Sequence, residues 1–285
     1  MALTDIVDSY LSEMAFESIR RMVYQETGIK LSGQKKAMIQ SRLMKRLKQV
    51  GCPTFEQYVK TVKLNPSERA IMFNLLTTNV TKFFRESHHF DFLKEGFLPV
   101  FLKNPGQTRP LKVWSAGCST GQEPYTLALV LNEFFTSVPR RDFWITASDI
   151  NTDVLKKAAE GLYQWEEVNE IPYGWLKKYF KLGTGPNSGL FKVKDILRKK
   201  VNFKYFNLAV PGGNQKAETI YDIIFCRNVF IYFDQETKAN VIKMFYNRLS
   251  PGGCLFLGHS ESLNINDRSI GQWSIQQHTV YRKEV

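Results

Sequence analysis

The sequence predicts an α/β fold with a doubly wound, mostly parallel sheet, a small all-helical N-terminal domain and an inserted small antiparallel β subdomain. Three observations lead to this prediction. From Leu111 onward, short apolar runs alternate with segments of helical periodicity, a pattern typical of a parallel sheet. Before residue 79, only helical patterns occur. The segment Gly161–Lys200, between a helix and the next strand, is too long for a plain connection.

Length and composition suit one large domain or two unequal ones. The chain has 285 residues, and 43% are hydrophobic, which is enough for a sizeable core. We expect a basic helical domain at 1–78, a junction and linker helix at 79–110, and the sheet domain at 111–285, with the β insertion at about 163–200. No apolar run reaches the roughly 18 residues that span a bilayer. The N-terminal stretch MALTDIVDSYLSEM lacks the features of a secretory signal, so we expect a cytoplasmic protein.

The cysteines and histidines show no pattern of a metal centre. There is no CxxC pair, and the histidines share no ligand spacing with the cysteines. We therefore predict no metal and no disulfide framework, which agrees with a reducing cytoplasm. We interpret His88-His89 as the surface of a helix. The residues concerned are Cys52, Cys118, Cys226 and Cys254, and His88, His89, His259 and His278.

The net charge of +12 predicts an acidic partner, which could be nucleic acid, an anionic membrane surface or an acidic protein. Between Glu17 and Lys63 there are eleven basic residues and three acidic ones. A helix predicted at Gln34–Gln49 has an apolar stripe on one side and basic residues on the others. A merely solvated face would look similar, but the concentration of charge favours a binding face. The stripe consists of Ile39, Leu43 and Leu47, and the candidate binding residues are Arg42, Lys45 and Arg46.

A junction precedes the sheet. In Asn74–Arg85 (NLLTTNVTKFFR), Asn79 and the threonines predict a capped or irregular linker. We expect a helix at Glu86–Leu102 and then a Pro/Gly-rich loop at Asn104–Pro110.

The turn after the first strand defines the candidate ligand site. The strand Leu111–Ala116 is followed by Gly117 and Gly121 and by a helix predicted at Glu123–Phe135. Strand, glycine turn and helix open a nucleotide-binding βαβ unit. A Walker loop would continue with Lys and Ser/Thr, whereas this sequence has Gln-Glu, and a carboxylate at a helix N-terminus repels a pyrophosphate. A nucleoside without phosphate, such as S-adenosylmethionine, fits better, although the glycines could also serve only to ease packing.

Further strands and helices follow in alternation. Phe180–Lys194 has two apolar-alternating runs around a Gly/Pro/Asn turn, which predicts a β hairpin within the insertion. Ser-Pro-Gly-Gly at 250–253 is interpreted as an ordinary turn. Strands are predicted at Asp142–Ser148, Val201–Phe206, Tyr221–Cys226 and Cys254–Gly258, with a final antiparallel strand near Ile275–Tyr281, and helices at Thr152–Glu160 and Gln235–Leu249.

Polar residues follow the strands at the carboxyl edge of the sheet, where ligands bind in this architecture. Asp149 could accept hydrogen bonds from ribose hydroxyls, although Asp149 or Asn151 could instead cap the next helix. The Tyr232 hydroxyl could point at a reacting centre, although a core aromatic is the alternative. The run His-Ser-Glu at 259–261 does not predict a hydrolase triad, because no GxSxG elbow exists. The other residues at this edge are Asn207, Leu208, Arg227 and Asn228.

Motifs along the chain resemble one known family. WSAGCSTGQEPYTLA, ASDINTDVLKKA, FCRNVFIYFD, SPGG and GHSES occur in this order, and TTNVTKFFRE lies upstream of them. Together they resemble the chemotaxis receptor (methyl-accepting chemotaxis protein) glutamate O-methyltransferases, which are S-adenosylmethionine-dependent enzymes. The likeness covers essentially the whole chain. One departure is Cys118, where some members have a smaller residue such as alanine.

The resemblance implies a sheet of the S-adenosylmethionine-dependent methyltransferase type. It also implies methyl transfer, in sensory adaptation, to glutamates on the cytoplasmic helices of the receptors, with S-adenosylhomocysteine as product. Arg85 and Tyr232 would lie closest to the reaction, and the basic residues Arg42, Lys45 and Arg46 would bind the acidic receptor helices. The insertion resembles a subdomain that in some members docks a receptor's C-terminal tail by adding a strand. The implied cofactor contacts are Asn79, Thr81, Arg85, Gly117, Glu123, Asp149, Asn207, Leu208, Arg227 and Asn228.

Elementary chemistry agrees with this interpretation. A glutamate with a pKa of about 4.3 is already an anionic nucleophile at pH 7, so the transfer requires no general base. Catalysis would depend on alignment and on the exclusion of water. The Arg85 guanidinium is suited to pair with the methionine carboxylate of the cofactor.

Two rival functions remain. An RNA or DNA methyltransferase could use the basic module to hold phosphates, but the fourth strand ends in CRNVFIYF rather than an Asn-Pro-Pro-Tyr type of motif. A non-catalytic adaptor could keep the fold, but the intact set Gly117, Gly121, Glu123 and Asp149 argues against it. We therefore favour receptor methylation by a monomer that binds no nucleic acid and does not insert into the membrane.

Overall fold

The computed structural model describes residues 10–103, 109–138, 141–210 and 219–284. The predictions for residues 1–9, and most of the loop predicted at Asn104–Pro110, lie outside these ranges. The described chain forms two compact units: Met1–Thr78 with Tyr232–Thr237, and Asn79–Ile231 with Lys238–Val285. No helix in the described ranges is long and apolar enough to cross a membrane.

The first unit is helical, as predicted. Its core includes the predicted stripe Ile39, Leu43 and Leu47, which is fully buried. Ser12 and Thr54 cap helices with their side chains, and the left-handed residues Gly28 and Gly51 end the first two. The helices are α1 (Glu13–Thr27), α2 (Lys36–Val50), α3 (Phe55–Leu64) and α4 (Pro66–Leu76).

The second unit begins with the junction and a helical segment that differs from the prediction. Instead of one smooth helix from Glu86, the chain forms α5 (His88–Phe92), a π-helical segment (Leu93–Phe97) and α6 (Leu98–Lys103). A Cβ at Gly96 would lie 2.7 Å from the ring of Phe92. The glycine thus lets this ring pack against the backbone, at the point where the helical hydrogen bonding changes.

A seven-stranded sheet is the centre of the second unit. Its order is β6-β2-β1-β7-β8-β10-β9. Neighbours from β6 to β8 are parallel, whereas β10 is antiparallel to both β8 and β9. The strand order reverses between β1 and β7, so the carboxyl ends of these strands form the topological switch point where ligands bind in such sheets. The strands are β1 (Leu111–Ala116), β2 (Phe143–Asp149), β6 (Val201–Tyr205), β7 (Tyr221–Cys226), β8 (Leu249–Leu257), β9 (Trp273–Gln277) and β10 (Val280–Lys283).

Helices connect these strands. Buried apolar side chains of α7 are part of the same hydrophobic core as the inner strands. The helices are α7 (Gln122–Thr136), α8 (Thr152–Glu160) and α12 (Gln235–Arg248). The bounds predicted for β1, β7 and α8 are confirmed residue for residue.

Near the end of the chain, one prediction is wrong and another is confirmed only in being antiparallel. The predicted turn Ser250–Gly253 belongs to β8, which starts at Leu249 instead of Cys254. The register between β7 and β8 shifts there, and Gly253 lies so close to Asp222 O that an added Cβ would be 2.9 Å away. The predicted single final strand is a hairpin, because a left-handed residue, Thr279, reverses the chain between β9 and β10.

The insertion forms a second, three-stranded antiparallel sheet with the order β3-β5-β4. The predicted hairpin is confirmed, and it gains a third strand whose three residues are too few to show alternation in the sequence. The strands are β3 (Leu162–Gln164), β4 (Phe180–Leu182) and β5 (Leu190–Val193), and the helices of the insertion are α9 (Trp165–Val168), α10 (Tyr173–Tyr179) and α11 (Asp195–Arg198).

Candidate functional site

The turn between β1 and α7 has the conformation that its glycines permit. Gly117 and Gly121 have φ angles of 83° and 96°, and Ser119 between them has a φ of 48°. The N–H groups of Gly117 and Cys118 both donate to Ser148 O of β2, at 2.8 and 2.9 Å. The turn is thus fixed to the end of the neighbouring strand.

Protein atoms occupy the space that side chains at these glycines would need. A Cβ at Gly117 would lie 2.5 Å from Val229 Cγ2. A Cβ at Gly121 would lie 2.8 Å from the Tyr163 hydroxyl and 2.9 Å from Ala158 Cβ. Close packing therefore explains both glycines, as the alternative interpretation of the sequence held, while a contact of Gly117 with the cofactor stays a prediction.

Asp149 ends β2 beside this turn. Its Oδ2 accepts a hydrogen bond from Ser119 N–H at 2.8 Å, and its Oδ1 accepts one from Asn151 N–H at 2.9 Å. Asn151, not Asp149, caps α8, because its side chain accepts from the first amides of that helix. Burial raises the pKa of Asp149, and the backbone hydrogen bonds oppose this effect. A carboxylate can accept about four hydrogen bonds, so acceptor capacity remains for ribose hydroxyls.

Glu123 and Arg227 form a buried ion pair at the carboxyl ends of β1 and β7. Glu123 Oε2 accepts from Arg227 Nε at 2.8 Å, and Oε1 accepts from the Ser115 hydroxyl at 2.6 Å. Arg227 also donates to the backbone oxygen of Arg85 at 2.5 Å. Arg227 therefore holds the junction to the sheet, Glu123 holds Arg227, and the cofactor contacts of both residues stay predictions.

Arg227 extends this pair into a buried cluster that the sequence did not predict. His89 is fully buried, so the interpretation of His88-His89 as a helix surface is wrong for this residue. Because a guanidinium only donates, His89 Nδ1 accepts from Arg227 at 3.2 Å, and Nε2–H donates to the Thr279 hydroxyl at 2.9 Å. Burial and the charge of Arg227 lower the pKa of His89 to about 3.

Glu86 completes the cluster. Its Oε1 accepts from His259 Nδ1 at 2.9 Å, and its buried Oε2 lies 3.6 Å from an Arg227 nitrogen. Burial raises the pKa of Glu86, but the hydrogen bond from His259 and the charge of Arg227 outweigh this effect, so the pKa lies below its ordinary value. The position of Glu86 directly after Arg85, inside the motif TTNVTKFFRE, was the available signal.

The junction residues meet the turn after β1. Asn79 O accepts from the Ser119 hydroxyl at 2.8 Å. The Arg85 guanidinium donates to Val80 O at 3.0 Å, which leaves further N–H donors for an anionic ligand. Thr81 is partly buried. The structure thus brings Asn79 and Arg85 to the same edge as the glycine turn.

Glu261 fixes the loop after β7, a role that the sequence did not predict. Its carboxylate accepts from the N–H groups of Asn228, Phe230 and Gly258, at 2.9, 2.8 and 2.7 Å. Burial raises the pKa of Glu261, and these backbone donors oppose the rise. The residue lies within the motif GHSES, but only the folded loop shows that its partners are backbone amides.

Non-glycine residues in the left-handed region cluster around this edge. They have φ angles between 48° and 59°, which is uncommon for residues with side chains and is frequent at functional sites. They are Phe84, Glu86, Ser119 and Asn228. The predicted Asn207 and Leu208 follow β6; Asn207 Oδ1 accepts from Ala209 N–H at 3.0 Å, and Leu208 is buried.

The predicted residues of the basic helix lie in the first unit, and two of them are engaged there. Arg42 donates to Leu75 O and Thr77 O at 3.2 and 2.8 Å. Arg46 binds Glu68 through two hydrogen bonds of 2.9 and 2.6 Å. Lys45 is exposed. Substrate binding by all three stays a prediction, with Lys45 the most accessible.

The cysteines are buried and unpaired. Burial, with the nearby Asp149, raises the pKa of Cys118, which lies within the glycine turn. This thiol is therefore protonated at neutral pH, as is typical of a packing residue rather than a nucleophile. In the described part of the chain, no group of three or more His, Cys, Asp or Glu side chains could hold a metal ion.

Comparisons with known proteins match nearly the whole chain to a single family of methyltransferases. Residues 79–279 match the family described as CheR methyltransferase, SAM binding domain, and residues 14–77 match the CheR methyltransferase all-alpha domain. The chemotaxis protein methyltransferase of Escherichia coli K12 is 39% identical over 279 residues, which cover 95% of this chain and 91% of that protein. Chemotaxis protein methyltransferase 2 of Pseudomonas aeruginosa is 38% identical over 260 residues, with 90% of each chain covered.

Among solved structures, a magnesium protoporphyrin IX methyltransferase of Synechocystis with bound SAM is 12% identical. The match has a TM-score of 0.35 and covers 99% of this chain and 95% of that one.

Proposed function

Because the chain belongs to the CheR methyltransferase family, whose domain binds S-adenosylmethionine, we propose that it forms methyl esters on glutamate side chains of chemotaxis receptors. The observation that carries the proposal is the identity of nearly two-fifths to a chemotaxis protein methyltransferase over almost the full chain. The substrate would be the acidic cytoplasmic helical bundle of the receptor, and the enzyme would act as a cytoplasmic monomer.

The residues at the carboxyl edge suit this cofactor. Asp149 retains acceptor capacity for ribose hydroxyls, and Arg85 has N–H donors for the methionine carboxylate. Asn79, Thr81, Asn207 and the residues of the glycine turn would surround the rest of the cofactor. When bound, S-adenosylmethionine supplies a methyl group on a positively charged sulfur.

The side chains of this protein would contribute to catalysis by positioning the reacting groups. The substrate glutamate is anionic at neutral pH, so one of its carboxylate oxygens can bond to the methyl carbon while the carbon–sulfur bond breaks, and no proton has to be removed. Arg227 holds the backbone of Arg85, which fixes the start of the Arg85 side chain. Tyr232 would lie near the transferred group, as the family resemblance implies. The main contributions would be alignment and exclusion of water.

The β insertion is the proposed docking site for a receptor tail, if the cognate receptor has one. Its sheet has the order β3-β5-β4, so β3 and β4 are edge strands within it, and the Leu182 side chain of β4 is largely exposed. An extended peptide could add a strand to such an edge.

Transfer of labelled methyl groups tests the proposed function. We expect the purified protein, given labelled S-adenosylmethionine and the cytoplasmic fragment of a chemotaxis receptor, to produce methyl esters that mild base releases from glutamate. Label on RNA or DNA, or base-stable label on the receptor, would contradict the proposal.

Asp149→Asn tests the proposed ribose contact separately from the methyl transfer. The substitution replaces one carboxylate oxygen, a hydrogen-bond acceptor, with an NH2 group, which only donates. We therefore expect cofactor affinity to fall about 10- to 100-fold, and ester formation to fall with it at limiting cofactor. Isothermal titration calorimetry measures the affinity. Unchanged affinity would refute the ribose contact without touching the methyl-ester assignment.

A further inference from the structure

The segment Tyr232–Thr237 lies between β7 and the body of α12 in sequence, yet it groups with the N-terminal helices. Tyr232 is the residue for which the proposed function offers a role near the reaction. The contacts of this segment therefore show what holds a candidate catalytic side chain.

A backbone hydrogen bond and an aromatic contact hold Tyr232 itself. Lys30 N–H donates to Tyr232 O at 2.8 Å. The Lys35 ammonium lies 5.0 Å from the centroid of the Tyr232 ring. A cation over the face of an aromatic ring is attracted by the ring's quadrupole, so Lys35 restricts the orientation of the ring as well as its place.

Asp234 supplies a further attachment two residues later. Its Oδ2 accepts from the Tyr24 hydroxyl of α1 at 2.6 Å, and its Oδ1 accepts from Thr237 N–H at 2.9 Å, in the first turn of α12. The hydrogen bond from Tyr24 is the main cause that lowers the pKa of Asp234 to about 2. The carboxylate is therefore charged throughout the physiological range, and it connects α1 to the start of α12.

The loop between α1 and α2 that supplies Lys30 and Lys35 is itself well fixed. Gly28 ends α1 in the left-handed conformation, and Ile29 N–H donates to the Thr27 hydroxyl at 3.1 Å. Arg20 Nε donates to Leu31 O at 2.8 Å. This loop thus has the fixed backbone that positioning a side chain requires.

We propose that Lys35 is a positioning residue for Tyr232, and that Tyr24 supports it by holding Asp234. The inference rests on the proposed function for the role of Tyr232 in methyl transfer. On this view, the basic N-terminal domain does more than attract an acidic receptor, because one of its lysines fixes a tyrosine that takes part in the reaction.

The expected effects follow from the two contacts. Lys35→Met removes the cation and keeps an apolar chain of similar length, so Tyr232 samples more orientations. We expect kcat to fall about two- to fivefold, with little change in KM for the receptor fragment or in the cofactor Kd. Lys35→Arg keeps a cation over the ring and should restore kcat. Lys60→Met, the same change at an exposed lysine of α3, is the matched control.

A double-mutant cycle distinguishes positioning from direct binding of the acidic substrate. On a Tyr232→Ala background there is no ring to orient, so Lys35→Met should cause no further loss of kcat. The same fold-loss on that background, or a kcat for Lys35→Met equal to that of Lys60→Met, would overturn the inference. A rise in KM with unchanged kcat would do so as well, since it would assign Lys35 to the receptor surface.

Hydrogen exchange tests the attachment without any substrate. The Lys30 amide donates to Tyr232 O, so its exchange rate reports on this contact. In the double variant Tyr24→Phe with Lys35→Met, we expect faster exchange of the Lys30 amide and of the amides of 232–237 than in Lys60→Met. Unchanged exchange would refute the attachment even where the wild-type protein forms methyl esters. Faster exchange in a protein that forms none would refute the proposed function alone.

Discussion

Each of the two units contains an arginine that pairs with a buried glutamate, and the pairs are built differently. In the first unit, Arg46 meets Glu68 with two parallel hydrogen bonds, and Tyr58 donates to the same carboxylate. In the second, Arg227 Nε gives Glu123 a single hydrogen bond, and Nη1 contacts both Arg85 O and His89 Nδ1. The first pair is complete within two helices, whereas the second connects the strand ends to the junction.

This difference separates a charge that stabilises a domain from one that also arranges a site. A complete pair affects little beyond itself when it is removed. Removing Arg227 would free a backbone carbonyl, a histidine and a glutamate, all beside Arg85. To judge whether a charged residue matters for a candidate site, its hydrogen-bond partners are therefore more informative than the number of charges nearby.

The largest effect should come from Arg227→Met. The change leaves Glu123 buried without its partner and frees Arg85 O, so we expect a loss of about 3–5 kcal/mol in the free energy of unfolding. Cofactor affinity should fall as well, because the junction is no longer held. Urea unfolding and calorimetry measure the two effects.

Arg46→Met is the comparison variant. Arg46 is partly exposed and Tyr58 still donates to Glu68, so the free energy of unfolding should fall by a smaller amount, about 1–3 kcal/mol. Cofactor Kd should not change. Equal losses of cofactor affinity in Arg227→Met and Arg46→Met would show that the Arg227 pair has no special role in arranging the site.

A smaller effect should appear on mild acidification. The pKa of His89 is about 3 in the folded protein, well below its ordinary value, so between these values the unfolded state binds more protons. Stability from the neutral imidazole is present above about pH 6.5 and is lost as the pH falls. Between pH 7 and pH 5, we expect the titration of His89 to lower the free energy of unfolding by about 2 kcal/mol.

His89→Gln isolates this contribution, because glutamine does not titrate and its amide can still donate to Thr279. Urea unfolding at both pH values should therefore show a weaker pH dependence in the variant. Asp149 and Glu261 titrate in both proteins and cancel in the difference. If the free energy of unfolding depends on pH equally in the two proteins, His89 does not cause the loss, which would mean that its imidazole is solvated when the pH falls.

The smallest effect concerns the basic helix. Lys45→Glu reverses an exposed charge on α2, and we expect KM for the receptor fragment to rise about two- to fivefold at low salt, with the difference shrinking as salt is added. Cofactor affinity should stay unchanged. Lys60→Glu on α3 controls for net charge, and an equal rise in KM there would mean that the effect does not belong to α2. Charge reversal at Arg42 or Arg46 would instead disturb the packing of the unit.

The regular elements around the site could be predicted from the sequence, because local patterns determine them. Buried strands such as β1 and β7 consist mainly of apolar residues, and the glycine turn between β1 and α7 has its own signal. The basic helix α2 was also predictable from its apolar stripe, but its engaged arginines were not. The carbonyl groups that bind Arg42 are those of Leu75, at the end of α4, and of Thr77, just after it, and the Glu68 carboxylate that binds Arg46 belongs to α4. Only tertiary packing brings these groups near α2.

The cluster around Arg227 could not be predicted for the same reason. His89 looks like a surface residue because its neighbour His88 is polar, but its partners Arg227 and Thr279 are far away in sequence. Glu261 binds backbone amides, and a sequence does not show where amide groups will point. The candidate ligand-binding residues were recognisable by type, whereas the residues that hold them in place depended on the fold.

The close packing around Gly117 and Gly121 bears on how variants of this turn would be interpreted. Any side chain at Gly117 would overlap Val229, and any side chain at Gly121 would overlap Ala158. A mutational scan scored by cellular abundance should therefore mark both positions as intolerant, just as it marks core residues. Loss of methylation in such variants would report degraded protein rather than a damaged binding site. Only variants that keep both glycines can distinguish a damaged binding site from a loss of folded protein.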